Sequence, residues 1–216
     1  MGIQSLTKLI TLKSPDSISH VNLFAFKGKR IAIDTSIFIY KSLINIRYNG
    51  DYLRNKEGKI MSHIYGLFNK IVLLRSYGIE LIFIFDGKPP DMKSDTILDR
   101  QKKSSDAKEK MKNATTQQDK DKYEKSSIRI TKEMITNVKK LLDLLGVSYI
   151  HPNGEGEAYA SELCRIGYVD FVLTEDMDTL ACGCPKLIRN CLDKSLKRKD
   201  IISIFDYETI IEDFDI

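Results

Sequence analysis

No run of apolar residues in this 216-residue chain comes near the roughly 18 that a membrane-spanning helix needs; the densest, Leu81–Phe85, has five. The opening Met1-Gly2-Ile3-Gln4-Ser5-Leu6 lacks the apolar stretch of a secretory signal. It also misses the myristoylation pattern, because Leu6 stands where Ser or Thr is required. An intracellular chain without a membrane partner is therefore expected, nuclear if its source is a eukaryotic cell. Cysteine and histidine are scarce, with four of one (Cys164, Cys182, Cys184, Cys191) and three of the other (His20, His63, His151). There is no Cys-x-x-Cys pair and the histidines are scattered, which argues against a zinc site and a disulfide scaffold. The cysteines read as reduced core thiols. No internal repeat is present. The 42% hydrophobic and 30% charged content excludes a wholly disordered or fibrous chain, and the length fits one large domain or two closely joined ones.

The net charge of +4 hides an asymmetry. Residues 88–140 carry 15 basic and 9 acidic side chains, leaving the rest of the chain at −2. A basic segment on a slightly acidic body fits a polyanionic partner, although charge counting alone favours a solvated helical face.

Short apolar runs end repeatedly in acidic residues. Ile31–Ile33 runs into Asp34, Leu81–Phe85 into Asp86, and Val169–Leu173 into Thr174-Glu175-Asp176. Val147–Ile150 and Ile201–Ile204 are further strand candidates. Between them lie helical patterns. Ile64, Leu67, Phe68, Ile71 and Val72 mark one buried helix face, and Met134, Val138, Leu141, Leu142 and Leu145 mark another that stops at Gly146. Strands alternating with helices predict an α/β fold with a mostly parallel sheet covered on both faces. Residues 91–127 break the rhythm with few large apolar residues. Their Lys and Glu content predicts exposed, mobile helices projecting from the sheet as a lid or binding element.

Ligands of open parallel sheets bind beyond the carboxyl ends of the strands, where Asp34, Asp86 and Asp176 are expected. Two close pairs accompany them: Glu155-x-Glu157, opening a helix through Ala158, Ala160 and Leu163, and Asp176-x-Asp178. Each carboxylate alone has a plain reading as a helix cap or a first-turn acid. Six on one sheet edge are harder to explain that way, since carboxylates 4 Å apart repel by about 4 kcal/mol per pair in a surface-like dielectric. Oxygen donors without Cys or His suit Mg²⁺ or Mn²⁺. Two such ions activate a water and stabilise the leaving oxygen of a phosphodiester, so metal-dependent nucleic-acid hydrolysis is the leading reading.

The ordered motifs resemble those of the flap endonucleases and related structure-specific 5′ nucleases across nearly the whole chain. They run from Met1-Gly2-Ile3 through Ile33-Asp34-Thr35-Ser36 with Ile39-Tyr40, Gly50-Asp51 and Glu57-Gly58. They continue with Phe85-Asp86-Gly87-Lys88-Pro89-Pro90, Lys93-Ser94, Glu155-x-Glu157-Ala158 and Thr174-Glu175-Asp176-Met177-Asp178. The resemblance implies a PIN-like fold: a mostly parallel twisted sheet flanked by helices, with an inserted helical arch. It divides the chain into an N-terminal nuclease region (1–90), the arch (91–130) and an internal nuclease region (131–216). It implies two Mg²⁺ ions, replaceable by Mn²⁺, on Asp34, Asp86, Glu155, Glu157, Asp176 and Asp178, with Asp86 and Asp176 central to catalysis. Lys93 and Arg100 match the basic pair that contacts the scissile phosphate.

Tyr40 matches an aromatic that stacks on a base, where core packing is the plain alternative. Arg47 and Lys70 match substrate-contacting cations, with Lys70 where Arg is usual, and Gly2 matches an N-terminus lying near the site. Lys102, Lys103, Arg129 and Lys132 are candidate phosphate contacts or solvated surface. The implied substrate is branched DNA with a 5′ single-stranded flap, cleaved in replication, repair or recombination. No counterpart of the family's helix–two-turn–helix element or of its sliding-clamp tail occurs before Phe214-Asp215-Ile216, so a fragment or a short form is expected. Two alternatives stay open: a catalytically impaired nucleic-acid-binding fragment, and an RNA-directed or exonucleolytic 5′ nuclease.

Overall fold

A computed structural model describes residues 3, 5–48, 50–88, 94–114, 116, 119, 123, 127–191 and 201–216, with backbone alone for 94–101, 108 and 112. Nine strands are described: β1 (Ile18–Asn22), β2 (Arg30–Asp34), β3 (Arg47–Tyr48), β4 (Asp51–Tyr52), β5 (Glu80–Ile84), β6 (Ser148–Ile150), β7 (Phe171–Leu173), β8 (Lys186–Arg189) and β9 (Ile201–Asp206). The described helices are α1 (Leu6–Lys13), α2 (Thr35–Asn45), α3 (Ser62–Ser76), α4 (Ser94–Asn113), α5 (Lys132–Leu145), α6 (Gly156–Arg165), α7 (Asp178–Ala181) and α8 (Tyr207–Asp213). Among the described residues no helix is long and apolar enough to cross a membrane.

Seven strands form one sheet in the order β1-β9-β8-β7-β2-β5-β6, and β3 pairs with β4 in a small hairpin. The central pairs β8–β7, β7–β2, β2–β5 and β5–β6 are parallel. The added pairs β8–β9 and β9–β1 are antiparallel. Strand alternation sends neighbouring residues to opposite faces. Ile31, Ile33, Leu81, Phe83 and Leu173 pack with Phe38 and Leu43 of α2, Leu67 and Ile71 of α3, and Val138 and Leu142 of α5. Ala32, Ile82, Ile84 and Val172 pack on the other face with Ile10 of α1, Ala160 and Leu163 of α6, and Ile210 of α8. Both faces are covered, as the near-continuous apolar strands predict.

All five sequence-identified apolar runs are strands, and α5 carries the expected stripe. Thr131 caps α5 by accepting from the Met134 amide, and Gly146 ends it at φ +59, a left-handed position that glycine takes at little cost. The stripe expected on α3 is displaced: Phe68 and Val72 are 42% and 49% exposed. The buried face instead runs through His63, Gly66, Leu67, Ile71 and Leu74, because α3 lies against α2 as well as the sheet. Its small and polar members escape a count of apolar residues. Strands β1 and β8 and the hairpin were also not expected; Lys186-Leu-Ile-Arg189 holds only two apolar residues and becomes a strand through its partners β7 and β9. Helix α4 is less exposed than its composition predicts: Ser104 and Ala107 are buried, and Ser104 Oγ donates to the Ser127 carbonyl 3.2 Å away.

Candidate functional site

The chain passes from β2 outward to β5 and β6, then crosses back to β7 on the other side of β2. In open parallel sheets ligands bind at such a reversal, beyond the carboxyl ends of the strands, here β2 and β7. Asp34 ends β2 at this point and also caps α2, with the Ile37 amide donating to its Oδ1 at 3.3 Å. Thr174, just past β7 and fully buried, donates its hydroxyl to Asp34 Oδ2 at 2.9 Å.

Asp86 follows β5. Ser36 Oγ donates to its Oδ2 at 2.6 Å, and the Gly156 amide at the start of α6 donates to its Oδ1 at 3.3 Å. Gly87 lets this segment run against the 152–154 loop; a Cβ there would collide with the carbonyl oxygens of Pro152 and Gly154. Asp34 and Asp86 are electrostatic neighbours. Burial above all, and then the charge of Asp86, pushes the Asp34 carboxyl up to about 6, against the opposing pull of hydrogen bonds from Thr174, Ile37 and Ser36.

The next carboxylates follow on one turn. The Asp176 amide donates to Thr174 Oγ1 at 3.2 Å, and Asp176 Oδ1 accepts from the Asp178 amide at 3.1 Å. Asp178 Oδ1 in turn accepts from the Ile3 amide at 2.7 Å, which brings the N-terminal segment to the same edge. Glu155 is the N-terminal boundary residue of α6 and Glu157 lies in its first turn. The six carboxylates thus sit at the ends of β2, β5 and β7 and at the starts of α6 and α7, sharing one edge of the sheet. They do not form one tight cluster: among the described residues no three His, Cys, Asp or Glu side chains gather closely enough to hold a metal ion. The donor set is nonetheless all hard oxygen, and the Asp34 carboxylate is buried and faces the charge of Asp86 with no compensating positive charge among the described residues. Both features fit a hard divalent cation.

The remaining candidates are dispersed around this edge. Tyr40 lies on α2 with 38% of its surface exposed. Arg47 stacks over the Tyr52 ring at 3.9 Å and the Lys70 ammonium over the Phe38 ring at 4.2 Å. Lys102 and Lys103 are exposed on α4, and Lys132 is exposed at the start of α5. Arg129 Nε donates to Ser104 Oγ at 2.8 Å, tying the segment before α5 to α4. Gly2, Lys93 and the side chain of Arg100 lie outside the described residues. Ser36 and Thr174 lie within the ordered motifs, but the sequence assigns them no role at the site. Their signal is position: Ser36 stands two residues after Asp34, and Thr174 two before Asp176.

Known proteins match this geometry. The XPG N-terminal domain matches residues 1–107 and the XPG I-region residues 146–216. Flap endonuclease 1 of Glycine max is 36% identical over 217 residues, covering 99% of this chain and 56% of the relative. Among solved structures, the catalytic core of Rad2 in complex with DNA substrate shares a TM-score of 0.72 at 27% identity, over 100% of this chain and 58% of that one. Flap endonuclease-1 from Methanococcus jannaschii gives 0.68 at 33% identity, over 92% of this chain and 63% of that one. The chain therefore spans a little over half the length of the curated relative it matches. The sheet is the expected PIN-like nuclease architecture, shared with the Rad2 and Methanococcus enzymes. Both matched segments contribute carboxylates to the same sheet edge, and with identity running nearly end to end the chain belongs to the flap endonuclease family of XPG-type nucleases.

Proposed function

We propose that this chain is the nuclease region of a structure-specific 5′ nuclease that hydrolyses DNA at 5′ single-stranded flaps in replication, repair or recombination. The observation that carries the reading is the juxtaposition of Asp34 and Asp86 at the switch point, where burial first and the Asp86 charge second oppose a bare Asp34 carboxylate that a cation would neutralise. Membership of the flap endonuclease family supports it, as does the DNA substrate held by the Rad2 core.

In this reading Asp34, Asp86, Glu155, Glu157, Asp176 and Asp178 hold two Mg²⁺ ions, with Mn²⁺ able to replace them. Bound there, the ions supply a reactive water and neutralise charge on the leaving oxygen. The chain's own residues set the geometry. Ser36 and the Gly156 amide orient the Asp86 carboxylate, and Thr174 orients that of Asp34. Lys93 and Arg100 stabilise charge on the scissile phosphate from the base of the 91–130 arch. Tyr40 offers its ring to a nucleobase. Arg47, Lys70, Lys102, Lys103, Arg129 and Lys132 meet the phosphate backbone, with Gly2 beside the site. Regions 1–90 and 131–216 together form the nuclease around that arch. A sliding-clamp partner and a nuclear location belong to the same reading.

The test is incubation of the chain with Mg²⁺ and a labelled 5′-flap duplex, with Asp86→Ala and Asp176→Ala alongside. Cleavage near the branch that both substitutions abolish is expected. Cleavage that survives Asp86→Ala overturns the assignment, and binding without cleavage by the wild type assigns the chain instead to nucleic-acid binding. An RNA flap run in parallel separates DNA from RNA preference.

A further inference from the structure

Between Thr174 and Asp176, both tied to the Asp34 edge, stands a carboxylate that belongs to a different set of contacts. Glu175 Oε1 accepts from Lys41 Nζ of α2 at 2.7 Å and from the Asn190 amide at 3.2 Å. Its Oε2 lies 3.7 Å from Arg189 Nε at the end of β8. All three charged side chains are largely covered, Glu175 at 16% exposed, Arg189 at 18% and Lys41 at 27%. Asn190 sits at φ +59, a left-handed conformation that Asn tolerates better than most residues, and in it the amide reaches the glutamate. Arg189 also donates to Thr7 Oγ1 of α1 at 2.8 Å. One carboxylate therefore joins α1, α2, β8 and the turn after β7.

We infer that Glu175 is a positioning residue: clamped by Lys41, Arg189 and the Asn190 amide, it fixes the 174–178 turn and with it the carboxylates of Asp176 and Asp178. The inference deepens the nuclease reading and rests on it. The hydrogen bonds of the turn after β7 supply the physical reason. Thr174 donates to Asp34, and the Asp176 amide bonds back to Thr174, so the Glu175 side chain between them anchors instead to the neighbouring helix and strand. Two cations facing one carboxylate in a mostly covered site hold it more firmly than a single exposed pair, and removing the anion leaves both without their partner. Groups that orient metal-binding carboxylates from behind affect metal affinity and activity by about 10–100-fold.

The test uses the whole chain and Mn²⁺ alone as probe, with Glu175→Gln, Lys41→Met and Lys41→Arg. Free Mn²⁺ is followed by electron paramagnetic resonance, and amide hydrogen exchange at Asp176 and Asp178 is measured without metal. Glu175→Gln is expected to weaken Mn²⁺ binding about tenfold and to speed exchange at those two amides. On the 5′-flap duplex it lowers kcat while KM stays within about twofold. Lys41→Met moves each readout in the same direction, and Lys41→Arg restores them. Unchanged Mn²⁺ affinity and exchange in Glu175→Gln overturns the inference. So does exchange that rises equally across the whole sheet, which marks general destabilisation. A wild type that binds Mn²⁺ but leaves the flap duplex uncut defeats the nuclease reading instead, while the Mn²⁺ comparison still decides the role of Glu175.

Discussion

Replacing Asp34 with Asn should make the metal-free chain more stable, although it removes a candidate ligand. Burial and the Asp86 charge raise the Asp34 carboxyl from 3.8 to about 6. Charging it in the folded state therefore costs about 3 kcal/mol relative to the unfolded chain. The sign follows from proton counting. Below about pH 4 both states hold the proton and there is no penalty. Between about pH 4 and 6 the unfolded chain releases it first, so stability falls as pH rises, and above about pH 6 the penalty is complete. In Asp34→Asn the amide oxygen still accepts from Thr174, but the charge facing Asp86 is gone. Allowing for relaxation, the variant should gain about 1–3 kcal/mol at pH 7.5 in EDTA. At about 2–4 °C per kcal/mol for a chain of this size, Tm should rise by several degrees. Thermal unfolding followed by circular dichroism from pH 4 to 8 measures this, and the gain should vanish near pH 4. If the proposed site holds Mg²⁺, the added ion should raise the Tm of the wild type more than that of the variant. An Asn variant no more stable than wild type at pH 7.5, or equally shifted at pH 4, would refute the reasoning.

Gly87→Ala drives a methyl into the carbonyls of Pro152 and Gly154 and should cost about 1–3 kcal/mol, read as a lower urea midpoint. His63 is buried on α3, and among the described residues neither ring nitrogen has a hydrogen-bond partner. Burial lowers its pKa despite the nearby charge of Glu133, so the unfolded chain takes a proton that the folded chain refuses. Stability is therefore lost as pH falls below about 6.5, and His63→Leu should flatten that loss in urea midpoints compared between pH 5 and 7.5. None of the four cysteines is in a disulfide and only Cys182 is exposed, while burial pushes the Cys191 thiol up to about 12. A thiol reagent should label Cys182 quickly in the native chain and the other three only on unfolding.

Much of this architecture is written locally. The α5 stripe, its Thr131 cap and Gly146 stop are neighbours in sequence and interact within one helix, so periodicity reveals them. Apolar runs ending in Asp34, Asp86 and the 174–176 turn mark strand ends for the same reason, and the sheet edge follows from their common direction. Membership of the family was legible too, because its motifs are contiguous. The burial of α3 was not, since the face chosen depends on α2 packing beside it and includes His63 and Gly66, which carry no hydrophobic signal. Nor was β8, a strand by virtue of β7 and β9 rather than of its own composition.

The organisation of the site lies furthest from the sequence. Ser36 meets Asp86 across 50 residues, Thr174 meets Asp34 across 140, and Glu175 meets Lys41 across 134. Residue types declare what chemistry is available, because donor atoms and charge travel with the side chain. Which carboxylates crowd, which is held from behind, and which cation faces it are decided by strand register and helix packing, which only the assembled sheet defines.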